Sequence, residues 1–120
     1  MYRLDLSLSA GPGPQVARRI ARLPLALVTG MDMSADGRRA VVLTYGPAYE
    51  YSRGSGESWK AAFLRKPATV MMPQRRQGEA VCYSRNGGRL YVSSEGVGSP
   101  VWELVRIVSP PAHEVRRGKP

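Results

Sequence analysis

The chain has one cysteine, Cys82, and one histidine, His113. A lone thiol forbids an intrachain disulfide and a cysteine-based zinc cage, and it leaves the redox compartment open. His113 sits in a Pro-flanked tail, so Ser93, Ser94 and Ser99 have no matching base, which speaks against a Ser-His-Asp triad. Acidic residues are scarce: 9 Asp and Glu stand against 18 Lys and Arg, for a net charge of +9. That balance suits nucleic acid or an anionic surface. Here, however, the charge is scattered in the pairs Arg18-Arg19, Arg38-Arg39, Arg75-Arg76 and Arg116-Arg117, so a basic nucleic-acid-binding module stands only as a second alternative. Long hydrophobic runs are missing too. The longest, Leu23 to Val28, is interrupted by Pro24 and is far too short to span a bilayer. The opening Met1-Tyr2-Arg3-Leu4-Asp5 lacks the order of a signal peptide. The expectation is a cytoplasmic chain as written, or a secreted or envelope protein if a leader lies upstream. There is no Gly-rich phosphate loop either, because Gly96-Val97-Gly98-Ser99 joins strands and opens no helix.

What is present points to an all-β fold. Hydrophobic residues make up 42% of the chain, alongside 13 Gly and 10 Pro, a composition suited to a turn-rich β protein and too apolar for a disordered one. At 120 residues it forms one ordinary domain. Met31 to Tyr45, MDMSADGRRAVVLTY, reads as two strands joined at Asp36-Gly37, a pair expected to supply the positive φ values of a two-residue hairpin. Fifty residues on, AVCYSRNGGRLYVSSE sets Ser84 on Ser34, Asn86 on Asp36, Gly87 on Gly37, Arg89 on Arg39 and Val92 on Val42. These matches fall on the residues that specify a hairpin, and we read an internal repeat. The third strands correspond as well: Ala48-Tyr49-Glu50-Tyr51 matches Val101-Trp102-Glu103-Leu104, and Tyr2-Arg3-Leu4 follows the same order.

Alternation predicts further strands over Tyr2–Ser9 and Thr69–Met72, and Val16–Leu23 is read as a strand after the Gly11-Pro12-Gly13-Pro14 break. Val105–Val108 is a possible last strand. In Arg39–Tyr45 both faces are apolar, so this strand should be covered on both sides. Glu57–Arg65 predicts a short amphipathic helix with Trp59 and Phe63 on its seam and Pro67 closing it. Cys82 is expected to be a small buried residue.

A unit of about fifty residues with four short strands matches a β-propeller blade. Ser-Ala-Asp-Gly-Arg-Arg before an apolar strand resembles the hairpin of WD-repeat-like and TolB-like propellers, and the wider pattern is similar to actinobacterial propeller proteins. The resemblance covers about Tyr2 to Leu104 and is most specific at Asp32–Arg39 and Gln77–Gly96. It implies a partial β-propeller of four-stranded antiparallel blades with one inserted helix. On that division residues 1–23 end one blade, 24–73 form a full blade, 74–108 form a further blade and 109–120 form a disordered basic tail. Closed propellers need about four to eight blades. The expectation is therefore a piece of a larger propeller that associates with a protein partner or with further copies of itself. Apolar faces such as those of Val41, Leu43 and Tyr91 are expected to lack a neighbour.

Asp32, Glu79 and Glu95 fall where a propeller's channel would lie, and three such carboxylates could gather a hard cation or act as an acid/base pair. No metal-loop spacing supports that, and carboxylates commonly satisfy backbone donors or pair with arginine. The reading leans against catalysis and assigns no cofactor. It favours a binding or scaffold surface, with a fragment of a propeller hydrolase or metal-dependent enzyme as the first alternative.

Overall fold

A computed structural model of the chain describes residues 1–4 and 13–106. Most of the strand expected over Tyr2–Ser9, part of the Gly-Pro break, the continuation from 107 and the tail with His113 lie outside the described residues. Among the described residues the fold is all-β, with three antiparallel sheets and one short helix. β1 (Tyr2–Arg3) pairs with β2 (Arg18–Arg19), a far shorter element than Val16–Leu23 suggested. The second sheet runs in chain order through β3 (Val28–Met33), β4 (Arg39–Thr44), β5 (Ala48–Ser52) and β6 (Ala68–Val70). β7 (Gly78–Tyr83), β8 (Arg89–Ser94) and β9 (Val101–Val105) form the third. Among the described residues no helix is long and apolar enough to cross a membrane.

The β3–β4 and β7–β8 hairpins have one register. Met31↔Val42, Asp32↔Val41 and Met33↔Ala40 in the first become Val81↔Val92, Cys82↔Tyr91 and Tyr83↔Leu90 in the second. Each also has its irregularity at the same place, between Val28 and Gly30 and between Gly78 and Ala80. Bulges add local twist, so the two sheets are shaped alike. Their third strands follow suit: Val41↔Glu50 and Val42↔Tyr49 correspond to Tyr91↔Glu103 and Val92↔Trp102.

The turns correct the sequence reading. Of each Asp-Gly or Asn-Gly pair only the glycine has positive φ, +64° at Gly37 and +70° at Gly87, and the strands are joined by a longer connection than two residues. Gly37 N–H donates to Ser34 O (2.7 Å) and Ser34 N–H to Arg39 O (2.9 Å), with 2.8 and 2.9 Å at the matching positions of the second turn. Asp36 serves as an acceptor instead. Its Oδ1 takes the Ser34 hydroxyl and the Arg38 N–H, as Asn86 Oδ1 takes the Ser84 hydroxyl and the Gly88 N–H. Short polar side chains that bond the backbone two residues on stabilise such turns without visiting positive φ themselves. Valine at Gly37 or Gly87 forces a β-branched residue into the left-handed region, at a cost of about 1–3 kcal/mol. Gly87→Val is expected to lose more, because a Cβ there runs into the Arg39 guanidinium, whereas at Gly37 the nearest atom is Arg53 Nη2 at 3.5 Å. Thermal melts of the two variants check both the loss and its order.

The helix, α1 (Trp59–Ala62), is shorter than Glu57–Arg65. Ser58 caps it, its Oγ accepting from Ala61 N–H at 3.2 Å. Glu57 belongs to the preceding turn, where its carboxylate takes Gly54 N–H (2.8 Å) and pairs with Arg65. Phe63 then packs edge-on to Tyr51 and stacks on Trp59, which makes this pair the seam between helix and sheet.

β4 is the centre of the core, with Ala40, Val41, Val42 and Leu43 at most 1% exposed. Ala40 and Val42 lie on one face with Tyr51 and Phe63, against Ile20 and Leu23 from the first sheet and its flank. Val41, Leu43 and Ala48 lie on the other, against Leu90, Val81, Tyr83 and Leu104 of the third. The strand is thus covered on both sides, as its composition demanded. Val41 and Leu43 do not lack a neighbour, because the third sheet lies on them, whereas the half-buried Tyr91 lies on the opposite, outward face of the third sheet. Cys82 is exposed rather than buried: it points to the opposite face of the third sheet from Val81 and Tyr83, which take the inner positions.

Candidate functional site

Polar chemistry concentrates where the second and third sheets meet. Arg39 opens β4, Glu50 lies across from Val41 on β5, and Tyr83 ends β7. Strand alternation sends Arg39 and Glu50 to the face that Val41 and Leu43 occupy, the face the third sheet covers. There Glu50 Oε2 accepts the Tyr83 hydroxyl at 2.8 Å and lies 3.7 Å from Arg39 Nη1, while Oε1 accepts from Arg106 Nη1 at 2.9 Å. The Arg39 and Glu50 side chains are only 17% and 10% exposed. Arg39 also lies over the Tyr83 ring, 5.1 Å from its centroid, and donates to Gly87 O at 2.8 Å. It therefore ties its own sheet to the turn of the next.

Burial and the hydrogen bond to Glu50 hold the Tyr83 phenol far above its ordinary range, so it stays protonated and donates. Both carboxylate oxygens of Glu50 are engaged. A cavity of about 320 Å³ opens beside the cluster, walled by Val70, Met71, Leu90 and Leu104, with Arg39 and Glu50 on its polar side. The Tyr83 hydroxyl, both Glu50 oxygens and the Arg39 guanidinium are thus engaged with groups of the facing sheets. The arrangement is a clamp between sheets.

The three carboxylates singled out in the sequence are placed apart in role. Asp32, on β3, reaches across the same interface and accepts Tyr83 N–H through Oδ2 at 2.7 Å. Glu79 is exposed at the irregular position of β7, where its carbonyl oxygen would stand 3.2 Å from a Cβ on Gly30. Close sheet approach explains a glycine there. Glu95 is exposed past β8, its N–H on Gln77 O at 3.2 Å. Among the described residues no three His, Cys, Asp or Glu side chains stand close enough together to hold a metal ion. Thr29 adds another link, its hydroxyl donating to Gly78 O.

Sequence reasoning did not single out Arg39, Glu50, Tyr83 and Arg106 as a cluster. The signal was there in part: Arg39 matches Arg89 and Glu50 matches Glu103, so a charged pair recurs at one place on both sheets. Comparison of the chain with protein-family models, with curated proteins and with solved structures returned no match.

Proposed function

We propose that the chain is a non-catalytic part of a β-propeller, its second and third sheets acting as successive repeat blades, and that its role is a binding or scaffold surface for a protein partner. One observation carries this reading. The charged and polar side chains between the two sheets are spent on holding one sheet to the next: Asp32 on the Tyr83 N–H, Glu50 on the Tyr83 hydroxyl, Arg39 on the Gly87 carbonyl. Stacked blades of one register, related by a spacing of fifty residues, fit radial repetition. The metal-dependent alternative needs Asp32, Glu79 and Glu95 to gather round one ion, whereas Asp32 Oδ2 accepts the Tyr83 N–H and the three carboxylates form no group among the described residues.

Thermal melts separate the two. Asp32→Ala leaves the part-buried Tyr83 N–H without its acceptor and is expected to cost about 1–3 kcal/mol. Excess calcium is expected to leave the wild-type melting temperature in place, since only a ligand that prefers the folded state raises it. A rise of several degrees with calcium, abolished by Glu79→Gln, would move the assignment to a metal-dependent protein.

A further inference from the structure

The outward face of the third sheet carries an uncovered counterpart of the clamp. Val81, Tyr83, Leu90 and Leu104 take the inner face, so alternation puts Cys82, Arg89, Tyr91 and Glu103 on the outer one. Arg89 Nε lies 2.7 Å from Glu103 Oε1, at the positions that match Arg39 and Glu50. Their side chains are 54% and 43% exposed, against 17% and 10% for the covered pair. Tyr91 stands directly across from Glu103 in the register, and Cys82 directly across from Tyr91. Val101 and Val105, 69% and 64% exposed, complete an apolar surround.

We propose that this face joins two copies of the chain about a two-fold axis, the Tyr91 hydroxyl of each seating on the Arg89–Glu103 pair of the other, as Tyr83 seats on Glu50 beside Arg39. Two observations select a second copy as the occupant. A two-fold interface must be self-complementary, and this face holds both halves of the contact, the tyrosine and the charged pair. The chain carries +9, so copies repel wherever arginines stand alone, and a face whose arginine is paired with a glutamate is one where they repel least. Strands of six, six and five residues span only about 14 by 20 Å, well below a standard interface, so the dimer is weak and reversible. The inference takes its template from the stacking reading above but does not share its test. Loss of stability in Asp32→Ala together with a strictly monomeric chain would leave that reading standing and remove this one.

Sedimentation velocity of the full chain under reducing conditions, from micromolar to millimolar protein, tests it. The expected result is a concentration-dependent shift from monomer to dimer that stops there. Alkylation of Cys82, the only thiol, by iodoacetamide should slow several-fold over the same range. Glu103→Arg sets two guanidinium groups together and should keep the chain monomeric with its thermal melt unchanged. The exchange Arg89→Glu with Glu103→Arg restores the pair and should restore the dimer. A monomer throughout with a constant alkylation rate, growth past the dimer into open-ended assemblies, or dimers in Glu103→Arg equal to wild type would overturn the proposal.

Discussion

Glu50→Ala is expected to destabilise the protein by about 3 kcal/mol, the scale for removing one partner of a largely buried ion pair. The loss has three parts. Arg39, only 17% exposed, keeps its bond to the Gly87 carbonyl but loses its counter-charge. The Tyr83 hydroxyl, buried enough for its phenol to be held well above its ordinary range, loses its acceptor. Arg106 also loses its partner, but it is half exposed and rehydrates at little cost. The melting temperature should fall on the order of 10 °C for a domain of this size. By contrast, Glu57→Ala removes a partner from an Arg65 side chain that is more than half exposed, and should cost far less. Equal losses in the two variants would show that the Glu50 cluster is an ordinary surface pair.

Leu43→Ala is the second large effect, at about 2–5 kcal/mol. Leu43 has no exposed surface and belongs to the apolar layer with Val41, Ala48 and Leu90 that the second and third sheets share. Truncation leaves a void between two sheets already fixed by Asp32 and Glu50, so collapse around it is limited and the cost belongs in the upper half of that range. Val105→Ala, on the exposed outer face of β9, is the matched control and should change stability little. Urea titration of both variants gives the comparison directly, and a Leu43→Ala loss below about 1 kcal/mol would mean that the third sheet does not lie on this face.

Local order was legible in this chain because its specification is local. Gly37 and Gly87 hold the left-handed positions, and the apolar residues on both faces of Arg39–Tyr45 mark a strand covered on both sides whatever covers it. The turn class was misjudged because Asp36 and Asn86 can favour a tight turn either by adopting positive φ or by accepting backbone N–H groups, and a residue type alone does not say which. Cys82 failed for a related reason. Alternation divides β7 into two faces but does not name the one that meets a neighbour, and Cys82 fell on the open side. The clamp is harder still. Its members Arg39, Glu50, Tyr83 and Arg106 come together only through sheet stacking, with Tyr83 and Arg106 lying 33 and 56 residues from Glu50 along the chain. What the sequence did contain was the recurrence of an Arg and a Glu on adjacent strands of both sheets, which becomes informative once one pair is seen to be covered and the other open.

Tyr83 and Glu50 form the central contact by which the third sheet docks on the second. A double-mutant cycle of Glu50→Ala and Tyr83→Phe, read by urea unfolding, probes that contact. Partners in one hydrogen-bonded network should couple by about 0.5–3 kcal/mol, with the double variant less destabilised than the sum of the singles. Strict additivity, with each substitution costing the same whether or not the other is present, would contradict it.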